Sequence, residues 1–464
     1  MKDMILGKLN KEKISGFYNG PIYPAVIAAT VALGSITGAE IYLCLLNCAF
    51  IVGALISCNT LKPLIINLCT FVYQISVDNA PFYPSYSNYF SSGWRLPVLI
   101  ILAVVLVLCI VYFALKNKIY KGLSFKKTPL LLPLLVLSSA LLTNGIFSWA
   151  WVYKNLVYAL AQIATLFFVF ILFYQGLKNE KADGLASYFA YISMLMALII
   201  SAQVLHLYLT SDSVFVDGSI NKVGVQLGWG IWNLVGISAV VLIPMNFYGV
   251  AKNKYPWLYF SVATLIYIVA ILTLSRNALI FGTASYGACV LIFSFIGERK
   301  KIFRTVTLVG LGVAVILAIV FFDKIYALFK DYFDRGFSDN GRFALWEASF
   351  FNFLEAPVFG KGFYGLGAVT DTFGPMPESA HNTVFQLMSA GGIVSLAAYG
   401  YYRYKTALPF IKRPCLMKAM LAISVISVVL GSLLDNFIFD IYPTFYMNVA
   451  LIIAFKKSEE QNGA

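Results

Sequence analysis

The sequence predicts an all-α protein, a polytopic bundle of about 12 to 14 transmembrane helices with one long outward-facing loop. Three observations carry that prediction. First, 60% of the residues are hydrophobic and only 12% are charged, whereas a soluble domain carries about half apolar and about a quarter charged residues. Second, the apolar residues come in blocks: ILAVVLVLCIVYFAL (101–115), LYFSVATLIYIVAILTL (258–274) and VTLVGLGVAVILAIVFF (306–322). Each approaches the roughly 20 residues that span the hydrocarbon. Third, the formal net charge of +13 sits in short segments between such blocks. That placement speaks for a membrane protein under the positive-inside rule and against a nucleic-acid partner.

Apolar runs bounded by polar breaks place the spans near 22–38, 41–57, 61–77, 96–115, 129–147, 152–174, 185–209, 228–250, 256–274, 277–296, 305–322, 383–402, 416–434 and 438–455. Met1 to Gly20 is polar and Lys-bearing, with no apolar core before a small-residue cleavage site, so the N-terminus is expected to stay in the cytoplasm. From that start, alternate loops hold Lys62; Lys116 to Lys127; Lys178 and Lys181; Lys252 and Lys254; Arg299 to Arg304; Arg403 to Arg413; and the tail Lys456 and Lys457. These are the expected cytoplasmic loops. The intervening loops, such as DNAPFYPSYSNYFSSGW (78–94) and SDSVFVDGSINKVGVQLGW (211–229), are longer and aromatic. They are expected outside.

The expected layout is a cytoplasmic segment 1–20, helices over 21–322, a structured periplasmic or extracellular loop 323–382, helices over 383–455 and a cytoplasmic tail 456–464. Within the loop, Ile325, Leu328, Phe329, Tyr332 and Phe333 recur at helical spacing, as do Leu345, Trp346, Ser349, Phe350, Phe353 and Leu354. Both segments predict amphipathic helices on the membrane face, the second stopped by Pro357 before the glycine-rich GKGFYGLG. The seven cysteines lie in or beside apolar runs without disulfide or zinc spacing and are read as buried thiols. No metal or other cofactor is expected.

Candidate chemistry collects on the expected outer face, in Ser275, Arg276 and Asn277, in Gly341 and Arg342, and in His381 with Asn382. A guanidinium between apolar helices is costly without a partner or a water-filled cavity; Arg276 is thus either a functional cation or a snorkelling anchor. Arg276 and Arg342 together suit a diphosphate, because the planar fork of donors matches phosphate oxygens and keeps its charge. Lys361 is either a third cation or a solvated surface charge. His381 suits a proton acceptor from an attacking hydroxyl, and Glu378 either orients it or is merely exposed. Asp435 and Asp440 flank the last outward turn, either closing the mouth of a cavity or capping helices. His206, inside an apolar run, is read as a core imidazole.

The segments SRNALIFGTASYGACVLIF, GRFALWEASFFNFLEAPVFGKGF and ESAHNTVFQLMSAGGIVSL, in that order and spacing over about 260–400, resemble the O-antigen ligase and polymerase superfamily. The lysine of GKG stands where an apolar residue is more usual. The resemblance implies a GT-C-like, metal-independent, inverting glycosyltransferase of the bacterial inner membrane. Its donor would be a saccharide on undecaprenyl diphosphate. Its acceptor would be lipid A-core or another glycan, and polysaccharide assembly proteins would be possible partners. It also implies that Arg276 and Arg342 hold the donor diphosphate and that His381 activates the acceptor hydroxyl, with Lys361, Glu378, Asn382 and Ser275 in support. The competing readings are a lipid-linked oligosaccharide flippase or other secondary transporter, and a polytopic scaffold. Transporters carry related halves with charges near the midplane, whereas the charges here cluster at one face.

Overall fold

The computed structural model describes residues 12–74, 93–148, 152–216, 218–296, 300–330, 341–363 and 379–463. The described chain is almost wholly helical, as predicted, with two two-stranded hairpins in the 211–231 loop. Eight helices among the described residues are long and apolar enough to cross a membrane: Glu40–Ser57, Arg95–Lys116, Tyr153–Gly176, Ala182–Thr210, Trp232–Lys252, Arg276–Phe295, Lys300–Val320 and Thr383–Ile411. The pair Glu12–Asn19 and Ile22–Thr37, bent by 60° at Gly20 and Pro21, makes a ninth candidate. Leu131–Leu142, Pro256–Leu272 and Leu416–Gly431 are shorter apolar helices, and Ile441–Gly463 ends the chain. The span expected over 61–77 differs: its helix is only Leu64–Thr70, followed by the 3-10 turn Phe71–Gln74. Seven residues rise about 10 Å, far short of the roughly 30 Å of hydrocarbon.

The contacts divide the chain into two units, Met1–Lys116 with Ala186–Ser338, and Asn117–Leu185 with Asp339–Ala464. In the first, Trp232–Val240 and Ile243–Lys252 form a buried core stretch, in which Val235, Ile237, Val240, Leu242, Ile243 and Phe247 have no exposed surface. Polar links run between its apolar helices, where bonding partners are scarce: Tyr23 Oη donates to Asn67 Oδ1 (2.7 Å), Thr30 Oγ1 to Asn47 Oδ1 (2.8 Å) and Asn47 Nδ2 to Gln74 Oε1 (2.8 Å). Arg95–Lys116 and Lys300–Val320 bury almost nothing besides Phe113 and Phe303, and expose long runs of Val, Leu and Ile. Leaving such a side chain in water instead of burying it forgoes about 1.5–3 kcal/mol. Lipid is the solvent in which such surfaces are stable.

The second unit is organised around a broken helix. Thr383–Ile411 is interrupted at Gly392, whose φ of 59° and ψ of −155° leave the helical region. The break frees the carbonyls of Ser389 and Ala390 and the N–H groups of Ile393 and Val394. The segment after Pro357 takes up all four: Lys361 N donates to Ser389 O (2.9 Å), Gly362 N to Ala390 O (2.8 Å), Ile393 N to Pro357 O (2.9 Å) and Val394 N to Val358 O (3.3 Å). Non-helical backbone at membrane depth is tolerated only where protein or a cavity satisfies it. In Tyr153–Gly176 a π turn at Ala164–Phe168 is supported similarly, Asn448 Nδ2 donating to Thr165 O (2.9 Å).

One end of this unit gathers basic groups. Lys456 Nζ donates to Lys178 O (2.9 Å), Lys418 Nζ to Lys412 O (2.7 Å) and Gln461 Oε1 (2.8 Å), and Lys457 pairs with Asp183 (2.8 Å). Three segments expected on the cytoplasmic side, 177–181, 403–413 and the tail, thus meet at one end. The turn 432–440 lies at the other end of the same two helices, Leu416–Gly431 and Ile441–Gly463.

Candidate functional site

Asn382 is the N-cap of Thr383–Ile411: its Oδ1 accepts from Val384 N (2.8 Å) and Phe385 N (3.3 Å). Its Nδ2 donates to Leu433 O (2.8 Å), and Thr383 N donates to Ser432 O (2.8 Å). The start of this helix is thereby tied to the turn that follows Leu416–Gly431.

The residue before the cap, His381, has a φ of 48°. The left-handed region is strained for a side-chain-bearing residue and persists only where the surroundings impose it. Here they do. His381 N donates to Ser379 Oγ (3.1 Å), Asn436 Nδ2 to Ser379 Oγ (2.8 Å) and Gln386 Oε1 (3.1 Å), and Ala380 N to Gln386 Oε1 (2.8 Å). The turn so held aims His381 Nδ1 at Asp435 Oδ1, 3.0 Å away.

Asp435 is 13% exposed and the imidazole 38%. Burial works to raise the Asp435 carboxyl, but the His381 hydrogen bond and charge, the Asn436 N–H and the Arg342 guanidinium outweigh it and hold the group below its ordinary range. An ionised carboxylate only accepts hydrogen bonds. In the neutral imidazole Nδ1 therefore carries the proton and Nε2 the lone pair, on a side chain open enough to be reached. Asp440, at the far end of the turn, is pushed the other way, to about 8, by burial and by the Asp435 charge.

Arg342 opens the helix Arg342–Glu355 behind Gly341, whose φ is 78°. One turn on, Trp346 Nε1 donates to Ala380 O (2.9 Å) and its ring stacks on Phe385, centroids 5.3 Å apart and 6° from parallel. Residues four apart share a helix face, so the Trp346 anchor keeps Arg342 beside the His381 turn, close enough for its charge to act on Asp435. The helix ends at Glu355, two residues before Pro357, as expected. Its buried positions are Ser349 and Asn352, whereas Phe350 and Leu354, two residues of the pattern expected on the membrane face, are exposed. Close approach to a neighbouring helix selects the small residues, and the large apolar ones face outward. Of the earlier pattern over 325–333, residues 331–333 lie outside the described residues, and Phe322–Leu328 is helical.

Lys361 is 4% exposed and its ammonium pairs with Glu355. The solvated-surface reading is thus corrected, and the partner is an acidic side chain of the same unit. The flanking glycines are obligatory: Gly360 (φ 64°) would place a Cβ 2.3 Å from Ala390 C, and Gly362 (φ 86°) 2.1 Å from Asn155 Nδ2. Glu378 lies outside the described residues.

Ser275 and Arg276 belong to the first unit. Leu274, with a φ of 52°, turns the chain. Ser275 then caps Arg276–Phe295, accepting from Ala278 N (3.3 Å) and donating to Asn233 Oδ1 (2.9 Å). Gly236 permits this packing, since a Cβ there would lie 2.6 Å from the Ala278 Cβ. Arg276, half-buried at the first helical position, stands at the end of its unit that bears the 211–231 loop.

The structure therefore brings Arg342 and His381 together in one unit and adds Asp435, which the sequence offered only as a mouth or capping acid. In the structure it hydrogen-bonds His381 and accepts from its own neighbour Asn436 N (2.9 Å). Among the described residues no group of three or more His, Cys, Asp or Glu has the disposition of a metal site.

The family described as O-antigen ligase matches residues 260–400. This interval contains the Arg276, Arg342 and His381 segments of the chain. No curated protein is significantly similar in sequence.

Proposed function

We propose, from the O-antigen ligase match and the His381–Asp435 pair, that this membrane protein is a glycosyltransferase. It moves a saccharide from a polyprenyl diphosphate, of the undecaprenyl type, to a hydroxyl of a glycan acceptor. The observation that carries the reading is the hydrogen bond from His381 Nδ1 to an ionised Asp435, which leaves Nε2 out of that bond on a side chain 38% exposed. In the proposed step an acceptor O–H attacks the anomeric carbon while its proton passes to Nε2. The bond from that carbon to the diphosphate oxygen breaks, and polyprenyl diphosphate leaves with the electron pair. Attack opposite the leaving group inverts the anomeric centre.

Asp435 holds the ring in the tautomer that accepts a proton and stabilises the imidazolium that results. Arg342 is assigned to the diphosphate, whose charge grows as the bond breaks; a fixed cation is most useful against charge that develops in the transition state. Arg276 is assigned phosphate binding in its own unit, by the same chemistry of its guanidinium. The acceptor, either lipid A-core (a ligase) or the growing glycan (a polymerase), and the inner-membrane location with both termini cytoplasmic are part of the proposal.

The test uses the purified protein with lipid-linked repeat units and candidate acceptors. Gel laddering identifies a polymerase and a single capped product a ligase. Absence of any transfer, with donor moved between leaflets instead, supports the flippase.

A further inference from the structure

Within the Met1–Lys116 and Ala186–Ser338 unit, a cavity of about 220 Å³ opens between the Gly38 turn, the last turns of Ala182–Thr210 and the Gln226–Leu227 hairpin strand. Gln203, His206 and Thr210 line it at helical spacing, so His206 is not enclosed in a core but borders open space. Gln203 is already committed, donating to Tyr73 O (2.5 Å) and accepting from Trp229 Nε1 (3.2 Å). Gln226 is different: it is 4% exposed, and neither its amide oxygen nor its amide nitrogen has a hydrogen-bond partner among the described residues. A buried amide left unsatisfied is costly, and native structures rarely retain one without a reason.

The lining chemistry narrows the occupant. Among the described residues Glu40 is its one charged lining residue, and no Lys or Arg contributes; a phosphate or carboxylate is repelled. Gln226, His206 and Thr210 offer both donors and acceptors, which suits hydroxyl groups, each of them donor and acceptor at once. Ile36, Leu207 and Leu227 add an apolar wall that suits the C–H face of a ring. The volume exceeds that of a few waters, at about 30 Å³ each, and falls below the roughly 300 Å³ and more of drug-sized pockets.

We infer that this cavity binds one neutral, hydroxyl-rich sugar ring. The inference does not rest on the glycosyl-transfer reading, and the two fail separately.

The test is saturation-transfer NMR on the full chain in nanodiscs with glucose, galactose, rhamnose and N-acetylglucosamine. At least one sugar is expected to bind, and Gln226→Leu and Thr210→Val are each expected to weaken it about 10-fold, the effect of losing one well-made hydrogen-bond partner. Gln226→Leu removes an unsatisfied buried amide at nearly constant volume, so its Tm should equal or exceed that of the parent, which separates lost binding from lost folding. His381→Ala should leave this binding unchanged. Competition by a soluble oligosaccharide ending in the same sugar assigns the ring to a glycan chain end, and competition by a nanodisc glycolipid bearing it assigns the ring to a lipid headgroup. Absence of transfer from all four sugars, unchanged affinity in both cavity variants, or displacement by inorganic phosphate overturns the inference.

Discussion

At the scale of single residues, the functional reading rests on the imidazole of His381 and on what faces its two nitrogens. His381→Ala should lower transfer by about 10²–10⁴-fold at normal protein level, the range a positioned proton acceptor supplies; wild-type glycan amount and length in that variant would count against the assignment. Asp435→Asn keeps the shape but not the charge, so it should lower kcat with little change in KM, as measured on purified protein. Arg342→Lys should raise the donor KM, because a point charge does not replace a planar fork. The two acids of the turn titrate with opposite signs. Asp440 has a folded pKa raised from 3.8 to about 8. Its contribution to stability is therefore fully present below 3.8 and is lost as pH rises through about 8. Asp435 is depressed, so its contribution holds above the ordinary carboxylate range and is lost as pH falls through its lower folded value. Tm followed through pH 8 should fall in the parent and stay flatter in Asp440→Asn. Of these groups, His381 and Arg342 were legible in the sequence, because a rare imidazole and an outward guanidinium stand out against apolar surroundings. Asp435 was visible as an acid but not as their partner, since 54 residues separate it from His381 and no local spacing encodes the contact.

At the scale of elements, the broken helix is the feature that composition concealed. The run FQLMSAGGIVSLAAYG reads as one continuous apolar span, and its period does not reveal that Gly392 leaves the helix. Gly392→Ala should cost at least about 2 kcal/mol, because an L side chain is strained at that φ and its Cβ would sit 2.5 Å from Pro357 O. Gly400→Ala, in the same helix with nothing within 4 Å of its Cβ, should instead be neutral or stabilise by up to about 1 kcal/mol. A thermal unfolding comparison of the two variants checks the break directly; equal effects would mean that the helix is continuous. The stop at Pro357 was readable because proline's missing N–H is a local property. The partner that the following segment finds at Ser389 to Val394 was not.

At the scale of the whole molecule, charge placement predicted that basic loops share a face. The second unit bears this out internally: Lys178, Lys412, Lys418, Lys456 and Lys457 gather at one end, and the 432–440 turn lies at the other. A cysteine at Leu433, which is 40% exposed, and one at Gly463, in a background without the seven native cysteines, should react with an impermeant thiol reagent from opposite sides of sealed vesicles. Labelling of both from one side contradicts the orientation of this unit. The exposed faces of Arg95–Lys116 and Lys300–Val320 belong to the same scale, because only lipid makes them stable.

The sequence by itself determined the solvent, the helical class and the approximate place of nearly every helix. Those follow from composition, run length and charge bias, which are sums over neighbouring residues. Tertiary structure alone decided that Asp435 orients His381, that Lys361 is neutralised by Glu355, that a helix is broken at Gly392, and that His206 and Gln226 border a cavity. Except for Lys361 and Glu355, six residues apart, these depend on groups distant in sequence coming together, and no local pattern records such a meeting.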